Sequence, residues 1–189
     1  MADFTVISAV SETLKDLLNT AIVAKGTGGT ADFLNVAALP GTPTLTIFLF
    51  EVGEDPSARN QARVRETTPP NMSIRKPPVT LLLRYLLTPW GGDALTEQKI
   101  LGVTIQTLYN NAILSGPVLK GVLNPTDAAL KITLSPLSLE EKARVWNTMQ
   151  KPFRLSLSYE VRVVNLDADD GESFKPVTRR TVDKEGPIS

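Results

Sequence analysis

The segment Phe153-Arg154-Leu155-Ser156-Leu157-Ser158-Tyr159-Glu160-Val161-Arg162-Val163 alternates between apolar and polar residues without a break. Successive side chains of an extended strand point to opposite faces. The pattern therefore predicts a β-strand that buries Phe153, Leu155, Leu157, Tyr159, Val161 and Val163. Arg154, Ser156, Ser158, Glu160 and Arg162 make the other face, which is wet or held for a partner.

Working upstream, Leu130, Ile132 and Leu134 mark a short strand. Ser138-Leu139-Glu140-Glu141 is a capping box, in which serine and glutamate satisfy each other's free amides. It opens a helix with Leu139, Ala143 and Trp146 on its face. Val79–Thr88 reads as another strand, broken by Pro89-Trp90-Gly91-Gly92, and Asp93 caps a helix running to Tyr109 with Leu101, Ile105 and Leu108 on one side. Strand–helix–strand–helix–strand from 79 to 163 favours crossover units. The predicted fold is α/β (α+β): a mixed β-sheet of at least four strands with helices packed on it.

Toward the N-terminus, Ile7, Val10, Leu14, Leu17 and Leu18 lie at helical spacing and predict a helix over 5–22 that ends at the Gly-rich stretch 26–30. Thr44–Val52 reads as a strand covered on both sides, since Leu45, Ile47 and Leu49 face one way and Phe48 and Phe50 the other. The pattern assigns no element to 31–43 or 110–125. Residues 53–78 read as a long polar connection carrying Arg59, Arg63, Arg65, Arg75 and Lys76, and long loops inside compact domains are usually functional or disordered. From Asn165 onward charge replaces apolar residues. The expected organisation is a domain over 1–164 and a flexible C-terminal arm over 165–189.

The chain has 189 residues, 42% of them apolar, with 20 basic and 20 acidic side chains and neither histidine nor cysteine. Ser-His-Asp and Cys-His nucleophilic systems are thereby excluded, as are zinc sites built on those ligands and disulfides. A balanced charge gives no global attraction to nucleic acid or anionic lipid. No targeting or membrane-spanning segment is legible, and the chain is expected to be soluble and cytoplasmic.

The remaining motifs have plain structural readings. The glycines of 26–30 follow a helix and lack the spacing of a phosphate loop, so they read as a linker. Asp167-Ala168-Asp169-Asp170-Gly171 resembles the start of a calcium loop, but its glycine comes one place early and Thr178 stands where the last ligand should be. Glu140 and Glu141 point about 100° apart on a helix, and Glu141 is explained by the cap. A carboxylate-dependent hydrolase would need paired acids in a pocket, and no pair is left over. No catalytic residue, cofactor or metal is predicted. The arginines of 53–78 are flanked by Glu51, Glu54, Asp55 and Glu66, which suits a protein-facing surface better than nucleic acid. Trp90 is either a core anchor or an interface hot spot.

Several segments, taken in order, resemble one known family. They are the opening helix from Ile7 through Leu14 to Leu18, the strand Thr46-Ile47-Phe48-Leu49-Phe50, and Asp55-Pro56 with Arg59-Asn60. Tyr85-Leu86-Leu87-Thr88-Pro89-Trp90-Gly91 and Glu97-Gln98-Lys99-Ile100-Leu101-Gly102 follow. The series continues with Ile113-Leu114-Ser115-Gly116, Leu137-Ser138-Leu139-Glu140-Glu141 before Trp146, and Pro152-Phe153-Arg154-Leu155-Ser156 through Tyr159-Glu160-Val161-Arg162-Val163. The set is similar to the N-terminal domain of the tail-cap, or tail-terminator, proteins of extracellular contractile injection systems, which are phage-tail-like particles. It covers residues 5–164, leaving the Gly-rich insert and the tail unmatched.

The resemblance implies a phage tail-terminator-like fold and a structural, non-enzymatic role. Such a protein forms a homohexameric ring at the distal end of the particle, stops the inner tube and secures the last sheath ring. Its partners would be copies of itself, the inner tube protein and the sheath protein, with no nucleic acid and no direct membrane insertion. It would be cytoplasmic during assembly and then part of the particle. The alternative is another ring adaptor or a sheath-like component of such a particle or of a phage tail. Candidate partner-binding residues are Arg59, Asn60, Arg63 and Arg65 in the polar connection, Trp90, Arg154 and Arg162 around the last strand, and Arg179 and Arg180 in the arm. The 53–78 and 165–189 segments are the expected tube or sheath contacts, and the polar face of 153–163 could accept an added strand.

Overall fold

The computed structural model describes residues 4–58, 64–68, 71–75, 79–124, 128–166 and 171–174, with backbone alone at 58, 64–68, 71–75, 164–166 and 171–174. By internal contacts the chain divides into two units: Met1–Arg59 with Pro78–Asp167, and Asn60–Pro77 with Ala168–Ser189.

The larger unit is built on a six-stranded sheet. Helix α1 (Val6–Ala24) leads into β1 (Thr30–Phe33), which pairs parallel with β2 (Thr44–Glu54). In the smaller unit β3 (Val64–Thr68) and β4 (Asn71–Arg75) form an antiparallel hairpin. The chain then returns through β5 (Val79–Trp90) and α2 (Ala94–Asn110) to β6 (Ile113–Ser115) and β7 (Ala129–Leu134). Helix α3 (Leu139–Thr148), β8 (Leu157–Leu166) and β9 (Gly171–Phe174) complete it. The large sheet runs in the order β1-β2-β5-β8-β7-β6, and every pair except β1–β2 is antiparallel.

Crossover units are expected from the element order, and the structure holds one in split form. Strand β5 and strand β7 both run antiparallel to β8, so they are parallel to each other, and the chain between them passes through α2 and the short edge strand β6. Strand β8 has inserted between them. Helix α3 joins antiparallel neighbours and makes no crossover.

Period-2 alternation along the central strands creates two cores. Leu81, Leu83, Tyr85 and Leu87 of β5, Tyr159, Val161 and Val163 of β8, and Leu45 and Ile47 of β2 face α1 and α2. Helix α1 covers them with Val6, Ala9, Val10, Leu14, Leu18 and Ile22, all buried. Each fully buried Leu or Ile contributes about 1.5–3 kcal/mol of burial energy. On the opposite face Leu86 and Trp90 meet Trp146 and Met149, with Phe48 and Phe50 against them. The expectation that both faces of β2 are covered therefore holds.

Element boundaries differ from the sequence reading in physically instructive places. Residues 153–156 lie before β8, not in it; Phe153 and Leu155 are exposed and Ser156 is buried. Strand β5 does not break at Pro89: Pro89 and Trp90 stay paired with Leu45 and Thr44, and the break comes at Gly91, whose φ is +74°. On α2 the buried face is Ile100, Leu101, Thr104 and Leu108, whereas Ile105 is exposed. On α3 only Trp146 is fully buried, and Leu139 in the first turn is 71% exposed. Both predicted caps form: Asp93 accepts from the Thr96 amide at 2.9 Å, and Ser138 and Glu141 close the capping box.

The smaller unit adds strands to two segments in which the sequence pattern assigns none. The long polar connection is a hairpin with Thr68 paired to Asn71, and the arm contributes β9, which pairs antiparallel with β4 from Met72↔Phe174 to Arg75↔Gly171. The three strands form their own sheet in the order β3-β4-β9. Segments 60–77 and 168–189, read separately in the sequence as a loop and an arm, thus share one sheet and one compact unit.

Candidate interaction surface

The α3-facing side of the large sheet is divided along its strands. Its upper half is aromatic. Trp90 is 6% exposed, its ring centroid lies 5.9 Å from that of Trp146, and its Nε1 donates to Thr46 Oγ1 at 2.7 Å. Thr46 Oγ1 in turn donates to the Thr88 carbonyl at 3.0 Å. Trp90 is therefore a core anchor, held by a hydrogen bond as a buried indole requires.

The lower half of that face carries charge. Glu51, Arg84 and Glu160 stand on three adjacent strands in direct register. Arg84 Nη1 donates to Glu51 at 2.9 Å and its Nε to Glu160 at 3.1 Å, and Ser135 Oγ also donates to Glu160 at 3.0 Å. Burial lowers the pKa of Arg84, but its bonds to the two carboxylates more than offset that and the net shift is upward. A β-bulge between Leu49 and Glu51 makes this ladder possible. Were Phe50 paired in regular alternation, with no bulge, Glu51 would share the face of Leu49 and point into the α1 core.

Beside the ladder, Asp55 is buried. Its Oδ1 accepts from the Ser57 hydroxyl at 2.7 Å and the Ser57 amide at 2.9 Å, and its Oδ2 lies 3.7 Å from Arg162 Nε. The Ser57 bonds, helped by Arg162 and Lys131, hold its carboxyl below the ordinary value of 3.8 in spite of burial. Arg162 thus faces an internal anion while keeping a 41% exposed side chain.

Arg154 is also engaged. Its guanidinium stacks over the Trp90 ring, 4.7 Å from the centroid, and pairs with Glu97 of α2. It ties the segment before β8 to the start of α2, leaving Phe153 and Leu155 exposed on either side of it in sequence. Arg59, Asn60, Arg63, Arg179 and Arg180 lie outside the described residues. Arg65 is placed on β3 opposite Ile74, with backbone alone described.

Exposed apolar side chains supply what the sequence reading missed. Ile105 and Tyr109 sit one turn apart on α2, with Tyr109 82% exposed, and with Leu134 they line a cleft of about 220 Å³ between α2 and β7. A larger groove of about 570 Å³ runs between α1, α2 and residues 117–120. Among the described residues no acidic cluster could hold a metal ion, and no helix is long and apolar enough to cross a membrane. The described carboxylates with clear partners serve caps and ion pairs, and none is paired with a second carboxylate in a cavity.

Among the solved structures that share this fold are two tube terminators. The PVC sheath/tube terminator of an extracellular contractile injection system, in its extended state, aligns over 100% of this chain with a TM-score of 0.68 and 21% identity. The tube-terminating cap of the anti-feeding prophage aligns over 97% with a TM-score of 0.64 and 18% identity. The chain spans 66% and 62% of the lengths of those two chains. No curated protein matches the chain in sequence. The family model described as the Pvc16 N-terminal domain matches residues 9–180, which takes in both units. The chain belongs to the Pvc16 N-terminal domain family.

Proposed function

We propose that this chain is a structural cap of a contractile injection system: it forms a ring at the distal end of the particle, stops the inner tube and secures the last sheath ring. The observation that carries the reading is the family match over 9–180, joined to a fold shared with a sheath/tube terminator and a tube-terminating cap. Physical logic agrees. A tube of stacked identical rings always exposes a free interface at its growing end, and growth stops only when a subunit presents one complementary face and one that is not. Such a part needs surfaces rather than reactive groups. The absence of histidine and cysteine and the engagement of Asp55, Glu97 and Glu160 in structural contacts suit a non-enzymatic role.

Within this reading, the smaller unit is the contact with tube or sheath. It combines the arginine-bearing segment 60–77 with the C-terminal segment, and its short strands have little apolar material from which to build a core of their own. Self-association into a homohexamer uses the larger unit, and assembly takes place in the cytoplasm before the particle is complete. Counting copies in purified particles tests the proposal against a sheath-like role. A cap gives one ring's worth per particle whatever the particle length, whereas a copy number proportional to length contradicts the reading.

A further inference from the structure

Strand β1 is an outer strand of the six-stranded sheet, and such an edge ordinarily offers unpaired amides to any extended chain. Alternation shows which amides these are. Thr30 donates to the Pro43 carbonyl at 3.2 Å and Leu34 to the Ile47 carbonyl at 3.0 Å, so even-numbered amides face β2. The amides of Ala31 and Phe33 face outward.

Neither outward amide is left open. The Ala31 amide donates to Asn19 Oδ1 at 3.0 Å, a side chain that reaches across from α1. The Phe33 amide donates to Asp32 Oδ1 at 2.8 Å, and the same carboxylate oxygen is held by Lys15 Nζ at 2.8 Å. Lys15 also lies over the Phe33 ring, 5.0 Å from its centroid, placing an ammonium group on the same edge. These bonds, led by that to Lys15, keep the Asp32 carboxyl below its usual range, so it is an ionised acceptor at neutral pH.

We propose that Asn19, Asp32 and Lys15 close this edge of the sheet against strand addition, by a second copy or by an extended segment of another chain. An incoming strand would have to displace an amide acceptor at one residue and an ion-paired carboxylate at the next, and would meet an ammonium group as it did so. Three device types known to blunt edges coincide here: a strand of only four residues, a lysine, and local side-chain capping of donors. The inference goes beyond the cap reading and does not rest on it.

The full chain, purified alone, serves for the test. In Asn19→Ala the Ala31 amide should exchange with solvent about fivefold faster than in the parent, the effect of losing one neutral hydrogen bond. Asn19→Asp, which keeps an acceptor, should restore the parent rate. The double variant Asn19→Ala/Asp32→Ala should associate with rising concentration beyond the parent's own oligomeric state in analytical ultracentrifugation. Equal Ala31 exchange in parent and Asn19→Ala overturns the proposal, and so does a double variant that keeps the parent's oligomeric state. Should the double variant fail to fold, Asp32→Ala alone is read at the Phe33 amide: faster exchange with added association supports the closure, and absence of either refutes it.

Discussion

Gly91→Ala and Gly28→Ala add the same methyl group at the same backbone angle, φ +74° in both cases, yet they should differ in cost. An L-residue at positive φ carries a penalty of about 1–2 kcal/mol, common to both. At Gly28 a Cβ would find nothing within 4 Å. At Gly91 it would stand 2.3 Å from the Thr42 carbonyl oxygen, 2.5 Å from its carbon and 2.9 Å from its nitrogen. Backbone cannot swing aside as a side-chain tip can, so the 42–44 segment must shift. That strains the Thr44↔Trp90 pair that ends β5. Forcing extra volume into such a site adds about 1–3 kcal/mol. The expected losses are about 1 kcal/mol for Gly28→Ala and about 3 kcal/mol for Gly91→Ala. Urea unfolding followed by tryptophan fluorescence suits the comparison, since Trp90 and Trp146 are the only tryptophans and both lie in the α3-side core. Equal midpoint shifts would refute the close approach of Gly91 to Thr42 and with it the assigned end of β5.

Other expectations follow from the same contacts. Arg154→Ala should lower stability by about 1–2 kcal/mol by removing a partly exposed ion pair and a cation–π contact, and Arg154→Lys should recover little of it because an ammonium cannot stack as a planar guanidinium does. Thermal melting reads this, and an unchanged melting temperature with lost particle association would make Arg154 a partner residue instead. Asp55 has a depressed pKa, so its contribution is fully present above its ordinary value of 3.8 and is lost as pH falls below it through the folded value. In urea titrations between pH 2 and 7, Asp55→Asn should show a weaker acid dependence than the parent; parallel curves would refute the role given to Ser57. Arg59, Arg63 and Arg65 replaced together by Ala should weaken association with particles and leave the melting temperature unchanged, whereas a large stability loss would make them structural. Deleting 167–189 removes β9 and should abolish particle association while the six-stranded sheet persists by circular dichroism; undiminished association would free the smaller unit of its proposed contact role.

Much of the larger unit is legible in the sequence because one side of each element is strongly apolar. Helix α1, β2, β5 and β7 follow period 3.6 or period 2 closely, and both N-caps are local hydrogen-bond motifs that need no tertiary help. Strand β8 shows how alternation can mislead. It is perfect from Phe153, but pairing begins only at Leu157↔Leu87, and the preceding residues are held instead by Arg154 on Trp90 and Glu97. The hairpin β3–β4 is hard to read, since Val64-Arg65-Glu66-Thr67-Thr68 holds a single apolar residue, only Met72 and Ile74 alternate in Asn71-Met72-Ser73-Ile74-Arg75, and Pro69-Pro70 between them reads as a breaker. Strand β9 depends wholly on β4, a partner about a hundred positions earlier in sequence, and no local pattern encodes it.

The candidate surface divides in the same way. Nothing in the sequence places Glu51 beside Arg84, because the bulge at Phe50 reverses the face of every residue after it. Trp90 and Arg154, both candidates for partner binding in the sequence, stack on one another. The exposure of Ile105 and Tyr109 is not legible in the sequence, because Ile105 falls at core spacing with Leu101 and Leu108, and only the packing of α2 through Ile100 and Leu108 shows which side faces out.

The central claim is termination, and particle length measures it. Deleting the gene for this chain in the producing organism and imaging particles by negative-stain electron microscopy should give overlong or ragged tubes with unstable sheaths. Particles of normal, uniform length with stable sheaths would contradict the account.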